Sequence, residues 1–247
     1  MKVEILESQA ITQLISEYWR VSILDETTST QTEIKSSNPK PWHLIATEFQ
    51  SAGRGRLDRK FEAPKYSALL FSFYIEPIRD KSDWGFIPLL AGLELANTIN
   101  NLTSSDLYKC KWPNDLMAND KKIAGVLAEV HGSGLVIGIG VNITMTKDQL
   151  PIESASSVLL ESNIKLSRNI VLANFCNNFA LSFKEWEQGK GFIQEFSEIC
   201  STLNKKVKIV YPEGERIGKA FAISNSGALI LDNGEEITVG DVIHLRD

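Results

Sequence analysis

The sequence predicts an α+β fold: a larger domain over residues 1–204 and a small β-barrel over residues 205–247. Three observations lead there. The chain has 247 residues, more than one average domain at roughly 150 residues each. Through the larger part, helical and strand-like hydrophobic patterns follow one another without a regular βαβ alternation. From Lys206 to Leu245 the pattern changes to five short apolar runs parted by turn pairs, the spacing of a small barrel of SH3 or OB type.

The elements follow in order. Ile11, Leu14, Ile15, Tyr18 and Trp19 fall at helical spacing and predict a helix over Ala10 to Trp19. Val21–Leu24 reads as a strand that runs into a helix start at Ser29 and Thr30, where Thr30 and Glu33 have the spacing of a capping box. Trp42–Phe49 and Ser67–Ile75 read as strands around a polar loop, Gln50–Glu62. Trp84–Asn101 is an amphipathic helix, and Leu107–Trp112 is a strand ended by Pro113. A β-meander follows from Asp115, with strands Ile123–Val130 and Leu135–Ile143 and turns at Asn119-Asp120 and His131–Gly134. Ser167–Glu187 and Phe192–Leu203 are helices. The last five runs are Val207–Tyr211, Arg216–Ile223, Ala228–Leu231, Glu236–Val239 and Val242–Leu245. Their turn pairs are Glu213-Gly214, Ser226-Gly227, Asn233-Gly234 and Gly240-Asp241.

Composition removes several function classes. Apolar residues make up 43% and charged residues 23%, ordinary for a globular chain. A net charge of −5 argues against a coat for nucleic acid or anionic membrane. Three separated cysteines, with no CxxC pair, argue against a zinc site or a disulfide framework. Neither a signal-peptide core nor a bilayer-length apolar run is present, so a cytoplasmic protein is expected. Phosphate-loop, dinucleotide, GxSxG and HExxH motifs are absent.

Four stretches carry chemistry. Gln50-Ser51-Ala52-Gly53-Arg54-Gly55-Arg56-Leu57-Asp58-Arg59-Lys60 packs four cations into seven residues between glycines that permit close backbone approach. Its guanidinium forks suit carboxylate or phosphate, so it reads as a loop folding over an anionic ligand or as a solvated basic loop. Lys111-Trp112-Pro113-Asn114-Asp115 is followed by Lys122-Ile123-Ala124-Gly125, where the in-strand glycine would let a flat ring lie on the backbone. Ser29-Thr30-Gln31 sits at a helix start, and Gly140-Val141-Asn142 ends a strand on a lone amide. Cations, neutral hydrogen-bonding groups and aromatics, without a nucleophile or general base, suit the activation of a carboxylate by a nucleotide, with Mg²⁺ neutralising the leaving pyrophosphate.

These motifs, in this order, resemble the biotin protein ligases over about Val21 to Arg246. The resemblance implies a mixed-sheet catalytic domain with helices on one face, like class II synthetases, and an SH3-like C-terminal barrel. It implies ATP and Mg²⁺ as cofactors, biotin as substrate, biotinyl-5′-AMP as intermediate and a biotin carboxyl carrier protein as acceptor. Lys122, Arg54 and Arg56 then correspond to catalytic residues. Ser29, Thr30, Gln31, Gln50, Gly53, Arg54, Lys122 and Gly125 correspond to the biotin site. Arg56, Arg59, Phe61, Lys111, Asn114, Asp115, Asn142 and Arg246 correspond to the ATP and adenylate site; metal ligands are not assigned. Gln31, Asp58 and Phe61 depart from the family's Asn, Gly and Trp, which implies weaker holding of the adenylate.

Some members of that family carry an N-terminal DNA-binding module; about 20 residues precede Val21, so no operator binding is expected. The expected state is a monomer or a homodimer through a sheet edge, with the Ile123–Ile143 hairpin as the edge. A lipoate–protein ligase shares the adenylate chemistry but not these motifs. A nucleic-acid-binding module would use the basic loop and the barrel, against the net charge.

Overall fold

The computed structural model describes residues 3–211 and 214–245. The first part contains α1 (Ser8–Thr12), β1 (Arg20–Leu24), α2 (Thr30–Ser36), β2 (His43–Thr47), β3 (Ala68–Ile75) and α3 (Ile87–Thr103). It continues with β4 (Lys109–Lys111), β5 (Asp115–Ala118), β6 (Lys121–His131), β7 (Gly134–Asn142), α4 (Val158–Ser162), α5 (Arg168–Glu187) and α6 (Ile193–Glu198). The last part is all strand: β8 (Lys206–Tyr211), β9 (Gly214–Ile223), β10 (Leu229–Leu231), β11 (Glu236–Ile237) and β12 (Asp241–His244).

Seven strands form a mixed sheet in the order β1-β2-β3-β7-β6-β5-β4. Only the β1–β2 pair is parallel, because α2 crosses over between them; every other neighbour is antiparallel. All eight residues of β3 are buried, which requires cover on both faces. On one face Phe71 and Phe73 pack edge-on against Phe175 and Phe179 of α5, at ring distances of 5.3 and 4.9 Å. On the other face Ser72 meets Thr30 and Gln31 of α2. The expectation of helices on one face therefore holds for the long helices and fails for α2. The alternation of side chains along β3 sends Ser72 to the opposite side from its phenylalanine neighbours.

The C-terminal strands form a separate five-stranded sheet, β11-β10-β9-β8-β12, and it does not close into a barrel. The expected SH3-like barrel is corrected to an open antiparallel sheet with β11 and β12 at its edges. Strand β11 is two residues long, too short to pair across to β12, which lies on the far side of β8. The apolar face of this sheet, with Val207, Ile209, Ala220, Leu229 and Val242, joins the same hydrophobic core as the larger sheet. Trp112, at the end of β4, donates its indole N–H to the carbonyl of Gly227 at 2.9 Å, tying the two sheets together.

Four local expectations change. The first helix stops at Thr12, because the Asn177 amide takes the Leu14 carbonyl and the Ser16 N–H that would have continued it. The helix from Phe192 stops at Glu198, where the chain straightens and Cys200 pairs with Cys110 as an isolated bridge. The Ile123–Ile143 hairpin is flanked by β3 and β5, so only part of it is an edge: β6 beyond Val126 pairs with β7 alone and leaves Leu127–His131 open on its other side. The Thr30–Glu33 capping box is not formed: Ser29 is the cap position, and Glu33 accepts from Thr27 instead. Glu213 of the Glu213-Gly214 turn lies outside the described residues. Among the described residues, no helix is long and apolar enough to cross a membrane.

Candidate active site

A cavity of about 580 Å³ opens where α2, the 50–62 loop, β5–β7 and β12 converge. It has a polar end, a cationic middle and a mouth against the C-terminal sheet.

The polar end is built by α2 meeting β3. Ser29, Thr30 and Gln31 are all buried at the start of α2. The Thr30 N–H donates to Gln50 Oε1 at 2.8 Å, and the Thr30 hydroxyl lies 2.8 Å from the Ser72 hydroxyl. Ser72 Oγ donates to Gln31 Oε1 at 3.0 Å. Gly138 makes room for Gln31, since a Cβ there would stand 2.5 Å from Oε1. The Ser29 hydroxyl lines the cavity, buried, with no hydrogen-bond partner among the described residues. An unsatisfied buried hydroxyl costs about 1–3 kcal/mol. A ligand able to bond it recovers that cost.

The cationic middle comes from the 50–62 loop, which folds as a small hairpin. Arg54 pairs with Lys60 as a bridge, and Phe61 N–H donates to the Gly53 carbonyl at 3.0 Å. Gly53 lies beneath the hairpin rather than on the cavity wall; a Cβ there would be 2.2 Å from the Phe61 carbonyl oxygen. The Phe61 ring covers Gly140, at 2.8 Å from where a Cβ would be. Arg56 donates to Asn114 Oδ1 at 3.0 Å and to the Gly240 carbonyl at 3.4 Å, while Arg59 pairs with Asp241 of β12.

Across the cavity stand Lys111, Asn114, Asp115 and Lys122. The Lys122 ammonium is 2.6 Å from Asp115 Oδ1, off the aligned hydrogen-bonding direction. Gly125 lines the cavity beside that contact: a Cβ there would stand 3.3 Å from Lys122 Nζ, so the glycine leaves room for the ammonium. Asn142 is buried and spends its amide N–H on the Ser156 carbonyl at 2.9 Å. Burial, then the charges of Lys122 and Lys205, hold Lys111 below the usual lysine range against the pull of Asp115. Burial also lowers Arg56, helped by Arg59. Arg54, Arg56, Arg59, Lys60, Lys111 and Lys122 outnumber Glu62, Asp115, Asp120 and Asp241 on the wall, so the cavity is built to receive anions.

Fourteen residues expected from the sequence at this site line one cavity; Gly53 supports it from below, and Arg246 lies outside the described residues. Residues 21–145 match the model of the biotin/lipoate A/B protein ligase family. The chain belongs to that family. Within it, the chain is 28% identical over 212 residues to biotin–(acetyl-CoA-carboxylase) ligase of Mycobacterium tuberculosis, covering 82% of this chain and 79% of that protein. It is 30% identical over 209 residues to the bifunctional ligase/repressor BirA of Escherichia coli, covering 81% of this chain and 65% of BirA. Biotin protein ligase from Aquifex aeolicus, solved in complex with biotin and ATP, superposes with a TM-score of 0.80 at 27% identity, over 92% of this chain and 99% of that one.

Sequence reasoning missed three members of this ligase-family site. Ser72 is the one small polar residue in the apolar and aromatic run Ala68–Ile75, and that isolation was a usable signal. Glu129 and Asp241, which hold Arg54 and Arg59, carried none, because their partners are 75 and 182 residues away.

Proposed function

We propose that this chain activates biotin with ATP and transfers it to a lysine of a biotin carboxyl carrier protein. The polar end of the cavity carries this reading. Ser29, Thr30, Gln31, Gln50 and Ser72 crowd hydroxyl and amide groups into a buried slot, and the Ser29 hydroxyl still lacks a partner. Biotin's ureido ring offers one carbonyl acceptor and two N–H donors. The dithiolane ring of lipoate offers none and would leave the slot's polar groups unpaired, at a cost that discriminates strongly against it. The relatives named as biotin ligases support the same choice.

The chemistry runs in two steps. A carboxylate oxygen of biotin attacks the α-phosphorus of ATP, the bond to the β-phosphate oxygen breaks, and pyrophosphate leaves. Lys122 and Arg56 reduce the repulsion between the two anions and stabilise charge on the α-phosphoryl oxygens. Arg54 and Gly53 shape the closing hairpin at the biotin end; Arg59 and Lys111 serve the phosphates. Phe61 supplies a flat apolar surface beside the base, and Asn114, Asp115 and Asn142 shape the nucleotide end. The acceptor lysine's neutral amine then attacks the mixed-anhydride carbonyl; AMP leaves, the amide forms and a proton is released. Neither step needs an enzymic nucleophile, in keeping with the residues present.

Mg²⁺ is held in such sites by one or two carboxylates plus substrate phosphates. The described residues contain no group of three or more His, Cys, Asp and Glu arranged as a cage. Asp115, with a buried Oδ1 on the cavity wall, fits an ion that arrives on the nucleotide and neutralises the leaving pyrophosphate.

Incubating the protein with biotin, ATP, Mg²⁺ and a biotin carboxyl carrier domain, and reading products by mass spectrometry, tests the proposal. Biotinyl-AMP and a biotinylated carrier lysine are expected. Turnover with lipoate in place of biotin, or ATP consumption independent of biotin, refutes it.

A further inference from the structure

Glu129, on β6 just behind the cavity wall, ties three elements together. The Lys35 ammonium of α2 is 2.8 Å from its Oε2. Gln31, also of α2, donates Nε2 to the same oxygen at 3.0 Å. Arg54 of the hairpin donates Nη1 to Oε2 at 3.3 Å and Nη2 to Oε1 at 3.2 Å, a two-pronged contact. Burial alone would raise this carboxyl's pKa; the hydrogen bonds from Lys35 and Gln31, with the charges of Lys35 and Arg54, outweigh it and hold it below the usual range. It is therefore an anion with three donors at neutral pH.

Two of those donors belong to the site. Gln31 closes its polar end, and Arg54 stands on the hairpin that covers its middle. The hairpin's cations are thus differentiated. Arg54 and Arg59 face the carboxylates of Glu129 and Asp241, whereas Arg56 faces the neutral acceptors Asn114 Oδ1 and the Gly240 carbonyl. Arg56 keeps its charge for a ligand, while Arg54 spends much of its charge on a fixed anion.

We propose that Glu129 is a positioning residue: it latches the cationic hairpin over the biotin end of the cavity through Arg54 while aiming Gln31 into the polar slot. The latch itself stands on the ligand-free geometry; its consequence for catalysis rests on the biotin-ligase reading. Ring capture and loop closure then share one anion, so that loss of the carboxylate loosens both.

The test has two arms, using Glu129→Gln, which keeps shape and loses charge, Arg54→Ala, and the double variant. Without ligand, hydrogen exchange reads the hairpin amides of Gly55, Arg59 and Phe61, all bonded within the hairpin. Glu129→Gln should speed their exchange by about fivefold or more, with little change in Tm. With biotin, ATP and Mg²⁺, the same variant should raise the biotin KM and the rate of biotinyl-AMP escape by about tenfold, with adenylation kcat within about threefold. In the Arg54→Ala background, Glu129→Gln should add less to escape than it does in wild type, the remainder coming through Gln31. Unchanged hairpin exchange in Glu129→Gln overturns the latch whatever the enzyme assay gives. Fully additive effects of the two substitutions on escape also overturn it. A wild-type protein that forms no biotinyl-AMP overturns the ligase reading instead, and hydrogen exchange alone then decides for or against the latch.

Discussion

The Lys122 ammonium lies 2.6 Å from the Asp115 carboxylate, and Gly125 leaves the space that lets it sit there. The pair is one-third exposed on the lysine side and not aligned as a hydrogen bond, so it contributes little to folding. Its value is that the cation is held beside the nucleotide end and free to turn. Lys122→Ala should lower adenylation kcat by about 10²–10³-fold, the loss of one charge-stabilising group. Single-turnover formation of biotinyl-AMP measures it. Near-normal kcat would remove Lys122 from the chemistry.

Gly53 tests the hairpin rather than the ligand contacts. A Cβ would be 2.2 Å from the Phe61 carbonyl, a backbone atom that cannot swing away. Gly53→Ala should therefore keep the hairpin from closing and raise KM for biotin and ATP by about tenfold, while Tm falls only modestly. Unchanged affinity with an unchanged Tm would show that the loop tolerates the methyl.

Arg168 is a stability residue close to the site. It is buried at 1% exposure and donates to Glu48 at 2.5 Å, while the Leu6 N–H donates to the other carboxylate oxygen. Glu48 begins the segment that leads to Gln50. Arg168→Met would strand the buried Glu48 charge and cost about 3–5 kcal/mol. Adding Glu48→Gln should recover a good part of that loss. Urea denaturation of the single and double variants decides it; a loss under about 1 kcal/mol would mean that Glu48 finds another partner.

His244 makes stability depend on pH. Burial first, and then the neighbouring charges of Lys111 and Lys205, push its pKa down to about 4 from the ordinary 6.5. The unfolded chain takes up a proton near pH 6.5 and the folded protein resists until about pH 4. This contribution is therefore complete above pH 6.5 and is lost as pH falls through that window. Discounted for solvent screening, the loss should be about 1–2 kcal/mol. Tm measured from pH 7 to pH 4 should fall less steeply in His244→Gln than in wild type, and parallel slopes would contradict the assignment.

Much of the site was legible in the sequence because its parts are short and local. Arg54, Arg56 and Arg59 share one loop, Lys111 to Asp115 one strand end, and Ser29 to Gln31 one helix start, so residue types and spacing were enough to name them. Their partners were not legible. Gln31 reaches Glu129 across 98 positions and Arg59 reaches Asp241 across 182, and strand order, which decides such meetings, has no local signature. The same holds for Thr30. Its spacing to Glu33 is that of a capping box, but the hydroxyl turned to Gln50 and Ser72 once α2 was laid on β3.

The sequence by itself determined the α+β class, the strands and long helices, and the cationic and amide-rich inventory of a carboxylate-activating site. Hydrophobic period and turn chemistry are properties of neighbouring residues. Only the tertiary structure decided that the C-terminal strands remain an open sheet, that just the Leu127–His131 part of the 123–143 hairpin is an edge, and that α2 covers the second face of the large sheet. Each of those outcomes depends on which surfaces are buried against which. The apolar face of the C-terminal sheet found cover in the shared core, so β11 could remain two residues long and the sheet open.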